Sequence, residues 1–321
     1  MKTGCRVCGI CLLKPSAPGE SSGAGKKQQV HALLISRDSS GWIRKGAMAR
    51  LIEMKSPHGW GQSRMRSTSC AQNGRNFKRN VISVMSMTGG AGKTSLVVNL
   101  GRALAQQERR AFLIDTAPHG LLPFHLGAAE TGPGQVRDLT GAGHGSLRAM
   151  NLDIASGYSP AADHAWMKNV LLRETDPSEY VLIDINTAPL WLTRQILQLS
   201  HCVLLPLMPD MSTILSIPCI EDCLDAFSAP GTDRPPYFAV LNQFDAGIAF
   251  HRRVETEAKA HLGNRLIPMT LSRDERMGCS LPQERSWMER YPTSQLVQDY
   301  RRLSLWMQRL FEEPAREVAD L

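Results

Sequence analysis

The rhythm of apolar and polar positions changes near residue 80. Residues 1–79 hold no sustained period of 2 or 3.6; Gly, Ser, Pro, Lys and Arg dominate, as in Lys14–Gln29 and His58–Asn76. Such a stretch buries too little apolar surface to offset the entropy of ordering, so it is expected to be a disordered extension. Only Ala47–Lys55 reads as a helical turn or two. From Asn80 onward, short apolar runs alternate with amphipathic stretches. Val81–Met85, Ala111–Ile114, Leu152–Ala155, Tyr180–Asp184, Cys202–Pro206, Phe238–Leu241 and Arg265–Ile267 read as strands. Lys93–Gln107, Ala161–Arg173, Leu190–Leu199, Ser212–Phe227 (interrupted at Pro218), Phe250–Leu262 and Gln295–Phe311 read as helices. Buried strands alternating with helices predict an α/β fold, a mostly parallel sheet flanked by helices on both faces, over residues 80–321. Ligands of such sheets gather at the C-terminal ends of the strands.

Charge sharpens the boundary. Residues 1–80 carry 15 Lys and Arg against 3 Asp and Glu, while residues 81–321 carry 22 against 27. The formal net charge of +7 therefore divides into +12 and −5, and any basic attraction to nucleic acid belongs to the extension, without specificity. With 321 residues, 42% of them hydrophobic, a sizeable core can form. The longest uncharged stretch, around Met211–Ile220, is too short and polar to cross a bilayer. The start has no ten-residue apolar run, so no secretory signal is expected. Eight cysteines do not make a disulfide scaffold, and a cytoplasmic location is expected. Cys5, Cys8 and Cys11 have the spacing that opens a cluster-binding run, but Pro15 stands where a fourth thiolate would fall. Cys219 and Cys223 lie one helical turn apart with no second pair, and packing is the expected role.

The chemistry-bearing stretch is Met87-Thr88-Gly89-Gly90-Ala91-Gly92-Lys93-Thr94-Ser95, between a strand and a helix. Glycines let consecutive N–H groups point inward, and a helix N-terminus adds partial positive charge. Lys93 can reach β- and γ-phosphates, and the Thr94 hydroxyl can ligate Mg²⁺. Met87 stands where the strict phosphate-loop pattern has its first Gly.

That departure resembles the deviant phosphate loop of the MinD/ParA ATPases. Leu113-Ile114-Asp115-Thr116-Ala117-Pro118-His119-Gly120 is similar to their second strand end. Val181-Leu182-Ile183-Asp184 with Thr187-Ala188-Pro189 is similar to their Walker B strand and turn. Leu241-Asn242-Gln243-Phe244-Asp245 is similar to their base-recognition strand end. Ile267-Pro268 through Asp274, then Glu289–Ser294, resembles the ParA-type C-terminal segment. Within that superfamily the wording of Asp115–Leu126, Pro206–Ser212 and Leu241–Ala246 looks most like the MinD-like proteins of bacterial cellulose synthase operons.

The resemblance implies ATP and Mg²⁺ as cofactors. Gly89, Gly90, Ala91 and Gly92 would cradle phosphates, helped by Lys93 and Ser95, with Lys93 the catalytic cation. Thr94, Asp115 and Asp184 would serve the metal, Asp184 through a water. Asn242 would meet the adenine edge, and a loop at Pro268 would pack on the base. Asn242-x-x-Asp245 also resembles a guanine motif, so GTP stays the minority alternative. The resemblance further implies a homodimer working with cellulose synthase complex proteins at the inner membrane.

Two departures bear on turnover. The signature Lys, which in the family crosses a dimer interface, is Thr88. The second Asp of the D-x-D strand end, linked to orienting the attacking water, is Ala117, whose methyl group can orient nothing. Slow or absent hydrolysis is therefore expected, with His119 the candidate replacement. Leu296, Tyr300, Leu303, Met307 and Leu310 recur at helical spacing, as in a helix docked on a sheet. The acidic residues after it oppose anionic lipid, so no direct membrane insertion is expected. The competing readings are a ParA-type partitioning ATPase, which needs a basic patch on the body, and a scaffold whose nucleotide is never turned over.

Overall fold

The computed structural model describes residues 80–117, 122–126, 134–139, 145–152, 165–186, 188–227, 234–279 and 287–312. The expectations for residues 1–79, for Cys5, Cys8 and Cys11, for His119 and Thr187, and for the acidic end after Glu312 fall outside them.

Among the described residues, eight strands form one sheet: β1 Asn80–Val84, β2 Ala111–Asp115, β3 Val136–Asp138, β4 Leu147–Asn151, β5 Tyr180–Asp184, β6 Cys202–Leu207, β7 Tyr237–Phe244 and β8 Leu266–Ser272. Their order is β3-β4-β2-β5-β1-β6-β7-β8. Every pairing is parallel except β3 with β4. The main helices are α1 Lys93–Gln106, α2 Leu122–His125, α3 Trp166–Glu174, α4 Leu190–Leu199, α5 Met211–Ser216, α6 Ile220–Phe227, α7 Ala249–Leu262, α8 Trp287–Arg290 and α9 Gln295–Glu312.

Alternate strand residues feed two cores, as the two-residue repeat of a strand requires. Ile82, Leu113, Leu182, Leu204 and Val240 face one layer with α1 and α9. Val81, Ile114, Ile183, Val203 and Leu241 face the other with α3, α4, α6 and α7. The stripe predicted on α1 is Leu96, Leu100, Ala103 and Leu104, all fully buried. In α9, Leu296, Tyr300, Leu303 and Met307 pack on the sheet layer in the same way. The break expected at Pro218 is there: α5 ends at Ser216, a single 3₁₀ turn spans Ile217–Cys219, and α6 follows. Proline has no N–H for the helical ladder, and the tighter turn absorbs its absence. Asp210 caps α5 by accepting from Thr213 N at 3.2 Å.

The fourth strand lies earlier than its sequence pattern suggests. β4 is Leu147–Asn151, with Leu152 just past its end and the rest of the expected Leu152–Ala155 strand outside the described residues, and the edge strand β3 has no apolar run to announce it. Arg148 hides β4 from a hydrophobic reading. Its guanidinium nonetheless belongs in the sheet: it pairs with the buried Glu179 at 2.7 Å and lies 4.7 Å over the Phe112 ring. β8 also runs four residues past Pro268, because an edge strand has a side that needs no N–H donor.

Candidate functional site

The site gathers at the C-terminal ends of β1, β2, β5 and β7. After β1 the chain turns through Gly90 (φ 77°) and Gly92 (φ 86°) into α1, with Gly92 as its N-cap. Both glycines occupy the left-handed region, which costs a residue with a Cβ about 1–2 kcal/mol. Their surroundings differ. A Cβ on Gly89 or Gly90 would meet nothing within 4 Å, whereas one on Gly92 would sit 2.4 Å from Asn242 Nδ2. The open side of the loop thus presents bare backbone at a helix N-terminus, a surface suited to phosphate.

Lys93 is the first residue of α1, and its ammonium donates to Ser86 Oγ at 3.1 Å. Ser86 Oγ donates onward to the Thr88 carbonyl at 2.7 Å. The cation is thereby held over the loop it would serve. Thr94 follows, and its hydroxyl donates to Asp184 Oδ2 at 2.5 Å. Ser95 is half-buried; its carbonyl accepts from Asn99 Nδ2 at 2.8 Å.

Asp184, the last residue of β5, is fully buried, and its Oδ1 has no hydrogen-bond partner. Burial pushes its carboxyl up to about 6 from the ordinary 3.8, opposed by the Thr94 hydrogen bond and reinforced by the neighbouring Asp115. A buried carboxylate with an unsatisfied oxygen beside a phosphate loop lacks one partner, and a hydrated divalent cation would supply it. Thr94 and Asp184 therefore fit Mg²⁺.

Asp115 sits beside Asp184 in register, as expected, but its carboxylate is committed to its own loop. Oδ1 accepts from Ala117 N at 2.8 Å and Oδ2 from Leu122 N at 3.2 Å. With both oxygens closing the turn after β2, Asp115 holds the segment rather than offering a free ligand. The role follows from amides at a strand end that need an acceptor once the ladder stops.

Asn242 reaches the phosphate loop, where its Nδ2 donates to the Ala91 carbonyl at 2.8 Å. Its Oδ1 accepts from Gln243 N at 3.0 Å. The Nδ2 bond ties the end of β7 to the phosphate loop, and the next residue, Gln243, has φ 56°. Asp245 is exposed, and its Oδ1 accepts from Gly247 N at 2.8 Å within its own turn. Pro268 lies inside β8 and is exposed, so no loop begins there; that strand ends at Ser272, whose N–H and hydroxyl both donate to Asp299.

Three contributors escaped sequence reading: Ser86, Thr116 and Asn151. Ser86 stands next to a recognised motif, and Thr116 lies inside one without having been given a role. Asn151 carries no motif signal, because it ends a strand whose position was misread.

A family profile described as the CobQ/CobB/MinD/ParA nucleotide-binding domain matches residues 82–281. The chain belongs to that family. Among curated relatives, the chromosome-partitioning ATPase Soj of Thermus thermophilus is 24% identical over 235 residues, covering 70% of this chain and 93% of that protein. The chromosome-partitioning protein ParA of Caulobacter vibrioides is 22% identical over 232 residues, covering 61% and 82%. Solved structures of the CobQ/CobB/MinD/ParA fold align as well. A ParA family ATPase from Chlorobium tepidum gives a TM-score of 0.55 at 17% identity, covering 71% of this chain and 99% of that one. Cobyrinic acid a,c-diamide synthase from Mycobacterium smegmatis, with bound ADP and magnesium, gives 0.54 at 19%, covering 73% and 96%. Among the described residues no helix is long and apolar enough to cross a membrane, and no three His, Cys, Asp or Glu side chains form a metal cluster.

Proposed function

We propose that this family member binds ATP with Mg²⁺ and holds it, with slow or no hydrolysis, as a regulatory or assembly factor. The observation that carries this reading is the pairing of an open glycine cradle with the buried Asp184, one of whose oxygens accepts from Thr94 while the other has no partner. The backbone of Gly89–Gly92 would hold the phosphates, Lys93 would exchange Ser86 for a phosphate oxygen, and Ser95 would assist. Mg²⁺, when bound, would neutralise phosphate charge; Thr94 would ligate it and Asp184 would hold a water of its shell. ATP is preferred over GTP, because the Asp245 side chain is engaged in its own turn.

Binding without turnover follows from the segment after β2. Ala117 offers only a methyl group, so no side chain at that position accepts a proton or aligns water. Ground-state binding by itself does not lower a barrier. Isothermal calorimetry with ATP and Mg²⁺ tests the binding. The Lys93→Ala variant should lose on the order of 2–3 kcal/mol, the worth of hydrogen bonds to a charged group. Equal affinities would sink the reading.

The cellular role proposed is assembly or regulation of bacterial cellulose secretion, as for BcsQ-type MinD-like proteins. The supporting residues are those of Asp115–Leu126, Pro206–Ser212 and Leu241–Ala246. The protein would act as a nucleotide-bound homodimer on cellulose synthase complex proteins at the cytoplasmic side of the inner membrane. Capture of cellulose synthase subunits by the tagged full chain, with ATP present, tests it. The second reading is chromosome or plasmid partitioning, favoured by the similarity to Soj and ParA. Capture of a centromere-binding partner instead would select that reading.

A further inference from the structure

The segment after β2 is stitched to strands on both sides. Toward β5, Thr116 N and Thr116 Oγ1 both donate to the Asp184 carbonyl, at 3.2 and 2.9 Å, and Thr116 Oγ1 accepts from Asn186 N at 3.0 Å. Toward β4, Asn151 Nδ2 donates to the Ala117 carbonyl at 3.0 Å. Asn151 is paired in register with Asp115 and is 6% exposed. Its Oδ1 is buried and has no hydrogen-bond partner. A buried amide oxygen left without a donor is costly, so packing alone gives no reason for Asn over an apolar residue of the same size. The donor half of the amide is the part in use, and it serves one atom, the Ala117 carbonyl.

We propose that Asn151 is a positioning residue of the nucleotide site, which holds the segment Asp115–Ala117 against the sheet and thereby fixes Asp184 toward Mg²⁺. The link runs through the backbone. Ala117 is held at its N–H by Asp115 and at its carbonyl by Asn151, and the adjoining Thr116 bonds the carbonyl of Asp184 itself. Where a carboxylate side chain is missing at position 117, the loop is placed by its own main chain. If the Asn151 bond is removed, the Ala117 carbonyl finds another partner in water only by lifting off β4, and Thr116 is pulled away from Asp184 with it.

The proposal rests on the ATP–Mg²⁺ reading above, and the test separates the two. Asn151→Leu has nearly the same shape and removes both the donor and the orphan oxygen, and Asn151→Ala removes the same two groups together with the side-chain bulk. Amide hydrogen exchange on the full chain without nucleotide reads the clamp directly. Exchange at Ala117 and Leu122 should rise roughly 3- to 10-fold in both variants, the span of one neutral hydrogen bond. Titration with a fluorescent ATP analogue, with Mg²⁺ and with EDTA, reads the consequence. The gain in affinity that Mg²⁺ confers should fall by a similar factor, while affinity in EDTA stays unchanged. The melting temperature of Asn151→Leu should stay close to that of wild type, since an unsatisfied acceptor leaves with the donor. A structural role alone would lower melting and leave the Mg²⁺ gain intact, which overturns the proposal. So would unchanged exchange at Ala117. If wild type binds no analogue in either condition, the nucleotide reading falls, and with it the positioning role, even where exchange shows the clamp.

Discussion

The strand ends of β1 and β2 lie one strand apart, with β5 between them, and they are built in opposite ways. The loop after β1 is half-exposed glycine backbone, with room beside Gly89 and Gly90 and one lysine laid across it. The segment after β2 is buried, and Asp115, Thr116 and Ala117 each hydrogen-bond into their surroundings. One is open on its outer side; the other, through Ala117, is buried and carries a methyl group at that last position. On the proposed reading, nucleotide capture draws on the first and hydrolysis on the second, so the two can be separated by mutation.

Restoring the missing carboxylate is the strongest way to break this contrast. Ala117→Asp should raise ATP turnover on the order of 10²–10⁴-fold, the range of a positioned proton-accepting group. A phosphate-release assay on purified variant and wild type checks it. A brisk wild-type rate would end the distinction between the two loops at once.

Asp184 stands between them and offers the next largest effect. Its folded carboxyl titrates at about 6 against the ordinary 3.8, so the stability given by its protonated form is complete below about 3.8 and lost as the pH rises through about 6. That gap corresponds to about 3 kcal/mol. Asp184→Asn should therefore be the more stable protein by about 2–3 kcal/mol at pH 8 and gain little at pH 4, while losing Mg²⁺-dependent nucleotide affinity. Urea unfolding at the two pH values measures the difference; a destabilised variant at pH 8 would contradict the assignment.

The glycines sharpen the picture of the open loop. Gly92→Ala should cost about 2–3 kcal/mol, from left-handed backbone together with the clash on Asn242, and should weaken nucleotide binding severely. Gly90→Ala meets no neighbour and should cost about 1 kcal/mol, from backbone strain alone. Equal costs would mean that Asn242 yields easily.

The smallest effect lies at the other end of the sheet. His201 Nδ1 accepts from Val81 N at 3.3 Å, and burial lowers the imidazole below its ordinary 6.5. A neutral ring is needed, so this contribution is present above pH 6.5 and lost as the pH falls below it. His201→Phe should cost about 1 kcal/mol at pH 8 and progressively less in acid. Chemical denaturation across pH 5–8 resolves it, with no change at the nucleotide site.

How much of this was legible beforehand depended on whether a residue's role was local. The glycine run, Lys93 and Thr94 belong to one turn, and their spacing alone placed that turn between a strand and a helix. Asp184 ends an apolar strand, as its sequence suggests. Asp115 lies at the strand end its sequence suggests, but one of its oxygens is taken by Ala117 and the other by Leu122, seven residues away. Asn242 was recognised as a site residue, yet its partner is the Ala91 carbonyl, 151 residues earlier, and no local pattern carries that pairing. Pro268 misled because proline usually ends a strand, and only the place of β8 at the sheet edge lifts that rule. Asn151 was lost together with β4, whose Arg148 breaks the apolar run that marks a buried strand.

The strand order also sets a timetable for synthesis. β1 is the first described strand to be made, yet it lies in the interior of the sheet, between β5 and β6. Asn80 pairs with Tyr180, and Ile82 with Cys202. At a ribosomal rate of ~5–20 residues per second, the first strand waits about 5–20 s for one neighbour and longer for the other. Closing such long loops before any reward is slow, and it leaves an apolar strand unpaired meanwhile. A translational pause placed after β6 should therefore favour native yield more than one placed after α1, because only by then has the strand leading to the phosphate loop acquired both of its walls.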